Sequence, residues 1–157
     1  TLVNCCIKPS LFTKTVLEKC SNYARERHQL EMRGFPQPCF AECAFQDIGL
    51  FKGNKILDFP TEVYLKKVLP RHYKSFLPVF RDSFEKCIKG FSNETHQNGN
   101  AHCMVVPGLL LVCINADSFL NCPDEFWYDA ESCIETKDFI KDCSVLKRLS
   151  NSSEELN

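Results

Sequence analysis

Eleven cysteines among 157 residues approach the density of disulfide scaffolds, and this length fits one domain that buries about 70% of its unfolded surface. With 19 Lys+Arg against 20 Asp+Glu the formal charge is −1, which excludes a broad electrostatic attraction to nucleic acid or to an anionic membrane surface. A composition 44% hydrophobic and 25% charged excludes a disordered chain.

The patterning is helical nearly throughout. After Pro9, with Ser10 as the expected N-cap, Phe12, Val16, Cys20, Tyr23 and Ala24 recur at four- and three-residue steps. Gly34, Pro36 and Pro38 separate this helix from a second, in which Cys39, Phe40, Cys43, Ala44 and Ile48 share a face. Gly49 closes it, and the FKGNK stretch reads as a loop. Asp58, Pro60 and Thr61 introduce a short helix bearing Val63, Leu65, Val68 and Leu69 and stopped by Pro70. A longer helix follows, kinked at or begun at Pro78, with Phe76, Leu77, Phe80, Phe84, Cys87 and Ile88 on one face and Gly90 at the expected C-cap. FSNETHQNGN is a polar surface loop. The apolar run Val105 to Ile114 has no polar face, so it belongs in the middle of the fold as a helix, with a buried strand as the alternative. Cys122-Pro123 breaks the chain before Phe126, Trp127 and Tyr128. A last helix shows Phe139, Ile140, Cys143, Leu146 and Leu149, and residues 150–157 read as a frayed tail.

Eleven thiols without a CxxC pair argue against zinc and for oxidised sulfur, hence for a secreted, extracellular protein. The sequons at Asn93 and Asn151 agree and are the glycosylation candidates. TLVNCC has neither a basic start nor an apolar run, so any signal peptide is expected to have been removed. Met104 to Ile114, the longest apolar stretch, is too short to span a bilayer, and no membrane insertion is expected. Connectivity does not follow from spacing, since 11 cysteines with one left over allow on the order of 10⁴ pairings. An i, i+4 pair such as Cys39 and Cys43 ties one helix to two neighbours. Five bridges at roughly 2–4 kcal/mol each exceed what a domain this long needs, a surplus suited to a shell around an imperfectly packed interior.

Cys39-x3-Cys43, the gap of 43 residues to Cys87, Cys113-x8-Cys122 and an upstream Cys20 resemble the core cysteine order of insect odorant-binding proteins, the pheromone- and general-odorant-binding type. Cys5, Cys6, Cys103, Cys133, Cys143 and the Cys122-Pro123 step are similar to the Plus-C subclass, best known from mosquitoes. The resemblance covers about Cys20 to Cys143. It implies an all-α, disulfide-crosslinked bundle of about six to eight helices around an apolar cavity, with residues 1–149 as a single domain including the Plus-C terminal extensions. It also implies bridges Cys20–Cys43, Cys39–Cys113 and Cys87–Cys122, with Cys5, Cys6, Cys103, Cys133 and Cys143 giving two more and one odd thiol. The interval Cys20 to Cys39 is short for the family, which leaves Cys5 or Cys6 as alternatives for the first position.

The function implied is that of a secreted carrier without cofactor or metal, taking odorants or other small volatile or lipid-like apolar ligands through aqueous lymph to chemosensory receptors. Thirteen phenylalanines, many on inward faces, are compatible with an apolar pocket. The lining candidates are Phe45, Leu50, Phe51, Phe76, Phe80, Phe84, Leu109, Val112, Phe119, Phe126 and Trp127, each with plain core packing as its alternative. His28, His72, His96 and His102 are the groups through which release would respond to pH, with solvated surface as the alternative. The odd thiol admits a homodimer, and contact with an odorant receptor belongs to the same picture. Catalysis is not expected: no His-Asp pair stands beside a cysteine, no glycine-rich calcium loop is present, and His102-Cys103 lacks further ligands. The competing class is a secreted cysteine-rich interaction protein without a small-molecule cargo.

Overall fold

The computed structural model describes residues 5–27, 38–92, 103–143 and Leu146. Among these lie six α-helices: α1 (Lys14–Glu26), α2 (Pro38–Asp47), α3 (Thr61–Val68), α4 (Phe76–Phe91), α5 (Val105–Leu120) and α6 (Glu131–Lys141). Short 3-10 turns occupy Arg71–Tyr73 and Asp124–Phe126. The fold is therefore the helical, disulfide-crosslinked one expected, with one small addition. FKGNK is a hairpin, β1 (Phe51–Lys52) against β2 (Lys55–Ile56), because Gly53 takes φ 60° and lets the chain reverse in two residues.

Helix boundaries follow local chemistry. Thr13, not Ser10, caps α1, its hydroxyl accepting from the Val16 N–H at 3.3 Å. Pro78 and Pro107 both stand third in their helices, where the N–H has no intrahelical partner, so α4 starts at Phe76 without a kink and the apolar run is α5 rather than a strand. Gly90 lies inside α4, not beyond its end, whereas Gly49, at φ 88°, follows α2 as expected.

Two compact units divide the chain: Thr1–Leu11, Thr61–Gly90 and Cys113–Asn157 form the first, Phe12–Pro60 and Phe91–Val112 the second. In the first, the N-terminal segment lies against the stretch after α5. Cys6 and Trp127 form a β-bridge, Ile7 N–H donates to the Phe126 carbonyl at 3.0 Å, and Tyr128 N–H donates to that of Cys5 at 2.8 Å. Disulfides Cys5–Cys133 and Cys6–Cys122 fasten this seam, and Cys87–Cys113 joins α4 to α5. In the second unit Cys20–Cys43 links α1 to α2, and Cys39–Cys103 ties the start of α2 to the residue two before α5. Ala24, Cys39 and Cys103 form a buried cluster there, with Tyr23 and Phe40 packed on it.

The implied bridges Cys39–Cys113 and Cys87–Cys122 are not formed; Cys39 takes Cys103, Cys87 takes Cys113, and Cys122 takes Cys6. The reason is reach: Cα atoms stand 5.1 Å apart in Cys39–Cys103, 5.9 Å in Cys87–Cys113 and 6.1 Å in Cys6–Cys122, and each sulfur makes one such bond. Of the five additional cysteines, only Cys5 and Cys133 pair with each other; Cys6 and Cys103 bond core-pattern cysteines, and Cys143 is the free thiol. In α6 the Cys5–Cys133 bond turns Cys133 and Ile140 inward, one seven-residue step apart, which leaves Phe139 80% exposed instead of in the core.

Candidate ligand-binding site

The expected lining residues are all buried or half-buried, and the two units divide them. In the first unit, Phe76 and Phe80, one helical turn apart on α4, stack with ring centroids at 5.3 Å. Phe126, from the 3-10 turn after α5, meets Phe76 at 5.2 Å. Tyr73, which the sequence did not single out, completes the group at 5.0 Å from Phe126 and 6.0 Å from Phe76. Its 3-10 turn follows Pro70 and has no apolar periodicity by which to find it. Phe84 is fully buried on α4. Phe119 and Trp127 meet edge to face at 5.4 Å, and the Lys137 ammonium stands 4.8 Å from the Trp127 ring centre.

Polar groups accompany these rings. Ser83 on α4 donates to Asp117 on α5 at 2.6 Å, and Lys86 approaches the same carboxylate at 3.6 Å. Ser75 Oγ, one residue before Phe76, is buried without a hydrogen-bond partner among the described residues. Lys8 reaches from the N-terminal segment to α5, its Nζ donating to the Asn115 carbonyl at 3.0 Å and to Ser118 Oγ at 3.4 Å. Burial lowers its pKa to about 8. Sequence reading missed Lys8, because a lone lysine after an apolar residue carries no pattern.

In the second unit, Phe45 packs with Phe51 of the hairpin at 6.2 Å and edge to face with Phe12 at 5.7 Å, and Phe12 meets Phe40 at 6.0 Å. Leu50 is fully buried, its N–H held by the Phe45 carbonyl at 2.9 Å. Leu109 and Val112 are half-buried on α5. Glu42 is a buried carboxylate with both oxygens engaged, one accepting from the Met104 N–H at 3.3 Å and the other from the Tyr23 hydroxyl at 3.4 Å. Burial first, and then the Glu42 charge, raise the Tyr23 pKa. The Arg27 guanidinium lies 3.5 Å from the Tyr23 ring centre.

His72 is exposed, its ring 4.3 Å from that of Tyr73. His28, His96, His102, Asn93, Asn151 and residues 150–157 lie outside the described residues. Among the described residues no cluster of three or more His, Cys, Asp or Glu side chains could hold a metal, and no helix is long and apolar enough to cross a membrane.

The model of the AgamOBP47-like family matches residues 9–139. General odorant-binding protein 67 of Anopheles gambiae is 27% identical over 151 residues, which cover 90% of this chain and 72% of that protein. Odorant-binding protein 47 of the same mosquito is 24% identical over 160 residues, covering 90% and 68%.

Proposed function

The chain belongs to the AgamOBP47-like family of insect odorant-binding proteins, and from that premise we propose that it is a secreted, non-catalytic carrier of small hydrophobic odorants or lipid-like molecules to chemosensory receptors. The observation that supports it best is the ring group Tyr73, Phe76, Phe80 and Phe126, with the unpartnered hydroxyl of Ser75 beside Phe76 in the chain. Aromatic walls with few polar groups suit an apolar ligand, and Ser75 is the donor that orients its oxygen. Phe84, Phe119 and Trp127 extend the apolar surface of the same unit; Phe45, Leu50, Phe51, Leu109 and Val112 are the candidates of the other. Residues 1–149 act as one carrier domain on this reading.

Burying roughly 400 Å² of ligand surface is worth about 10 kcal/mol before association costs, which leaves affinity near micromolar and selectivity broad. The test is displacement of a fluorescent apolar probe by volatile aromatics and terpenoids. Displacement at micromolar concentrations, weakened at least tenfold by Phe76→Ala and, for alcohol or ketone ligands only, by Ser75→Ala, is expected. No displacement at tens of micromolar would favour the protein-binding alternative, for which the exposed Phe139, Tyr128 and Ile134 supply surface. The free Cys143 thiol makes a covalent homodimer testable by non-reducing against reducing electrophoresis.

A further inference from the structure

Lys8 is an ionisable group that packing alone does not account for. Its Nζ meets two acceptors, the Asn115 carbonyl and Ser118 Oγ, and both are uncharged. Ser118 Oγ itself donates to the Asn115 carbonyl at 3.1 Å, so its lone pairs face Nζ. Among the described residues Lys8 forms no ion pair; Asp117, between its two acceptors in sequence, is engaged by Ser83 and Lys86 instead. A charged ammonium here would carry a third N–H with no acceptor among these groups. A neutral amine places both its N–H groups and keeps its lone pair unused. The side chain is half-buried, so that lone pair is not sealed from small molecules.

We propose that Lys8 is a covalent capture site for aldehydes, binding them reversibly as an imine. The nitrogen lone pair attacks the carbonyl carbon, and the carbonyl oxygen takes up a proton to give a carbinolamine. Loss of that hydroxyl with a proton from nitrogen, as one water molecule, forms the C=N bond; no oxidant or reductant takes part. Ser118 Oγ, 3.4 Å from Nζ, is placed to pass the proton. Desolvation supplies the neutral amine. At about pH 7.4 roughly a fifth of a group with pKa near 8 is neutral, against about a thousandth at the ordinary 10.4. The weaker base is also the weaker nucleophile, and a Brønsted sensitivity of about 0.4–0.5, as for thiols, leaves a net advantage of about tenfold.

This site goes beyond the carrier reading and does not require it. The test treats the intact disulfide-bonded protein with hexanal and cyanoborohydride, which fixes imines as secondary amines, and maps the adducts by peptide mass spectrometry. Labelling of Lys8 should exceed that of the exposed Lys66 by about tenfold at about pH 7.4, and its own rise with pH should level off above about pH 8. Lys8→Arg keeps charge and donors but no usable nucleophile at this pH, and should lose the privileged adduct; Lys8→Met is the second variant. Hexanol, with no carbonyl, gives no adduct and reports only on apolar binding through the probe assay. Lys8 labelled no faster than Lys66 would overturn the site, whatever the probe assay shows. Probe displacement without privileged labelling would leave the carrier and remove the capture site, and the reverse result would do the opposite.

Discussion

The two units each bury ionisable groups and use them differently. Glu42 in the second unit has an N–H and an O–H supplied by its own chain, one for each oxygen, so its charge is spent on holding Met104 and Tyr23 in place. Lys8 in the first unit meets only neutral acceptors among the described residues and retains chemistry that the fold does not consume. The crosslinks differ as well. The second unit is tied by bridges spanning 23 and 64 residues, whereas two of the three bridges in the first span 116 and 128. A buried group with every valence matched is structural; a buried group with one left over is a place to look for function.

The largest expected effect breaks the comparison at its crosslinks. A disulfide restricts the unfolded chain more as its loop lengthens; Cys5–Cys133 and Cys6–Cys122 close one long loop side by side, so removing both as serine variants should cost at least about 5 kcal/mol, against about 3.5 kcal/mol for Cys20–Cys43. Urea unfolding of the two variants checks the order. Equal losses, or a greater loss at Cys20–Cys43, would show that loop entropy does not govern these bonds.

Next come the rings. Phe80→Ala in the first unit and Phe45→Ala in the second each remove a fully buried side chain, at a cost of about 3–5 kcal/mol if the space stays empty. If the group around Phe80 holds ligand, a bound apolar molecule should recover part of the loss for Phe80→Ala and none for Phe45→Ala. Thermal unfolding with and without ligand separates the two.

Much of this was legible in the sequence, and for identifiable reasons. The spacing of apolar residues marked α1 to α4, the unbroken apolar run marked α5 with a strand as the alternative, and the cysteine order marked the class, whereas α6 lies earlier in the chain than the expected face from Phe139 to Leu149. The pairing of Cys39 and Cys87 was not legible, because connectivity does not follow from spacing and rests on which cysteines tertiary packing brings within reach. Phe139 looked like core because its neighbour Ile140 is; the choice between two adjacent positions is made by the distant bond of Cys133 to Cys5. Of the candidate site, the phenylalanines on α4 could be read from periodicity. Tyr73 and Lys8 could not, since a 3-10 turn and an extended segment are joined to the rest only by tertiary contacts.

A smaller effect sharpens the view of Glu42. Glu42→Ala leaves the Met104 N–H unpaired and should cost about 1–3 kcal/mol. Glu42→Gln retains an acceptor for that N–H and should cost less. Both remove the negative charge beside Tyr23, so its phenol should titrate lower than in the parent protein, though still above the ordinary value because burial remains the larger cause. Ultraviolet titration of Tyr23 reads this, and an unchanged midpoint would detach Glu42 from it.

The last effect concerns Lys8 as a contributor to stability, apart from any ligand. Its pKa is about 8 in the folded protein and about 10.4 when unfolded, so between these values the unfolded chain holds more protons and stability rises with pH. The contribution is complete above about pH 10.4 and lost as pH falls through about 8. The full shift would be worth about 3 kcal/mol, and solvent screening of a half-buried side chain reduces this to about 1–2 kcal/mol. Tyr23 works against it from about pH 10 upward, since a phenol pKa raised above the ordinary value gives stability that is lost as pH climbs past that value. The measurement therefore uses Tyr23→Phe as background, with Cys143 alkylated so that its free sulfur does not exchange with the bridges. Urea unfolding from about pH 7 to about pH 10 should show a rise that Lys8→Met abolishes. Parallel curves for the two proteins would mean that Lys8 keeps its proton on folding, and with it the geometry that frees its lone pair would lose its meaning.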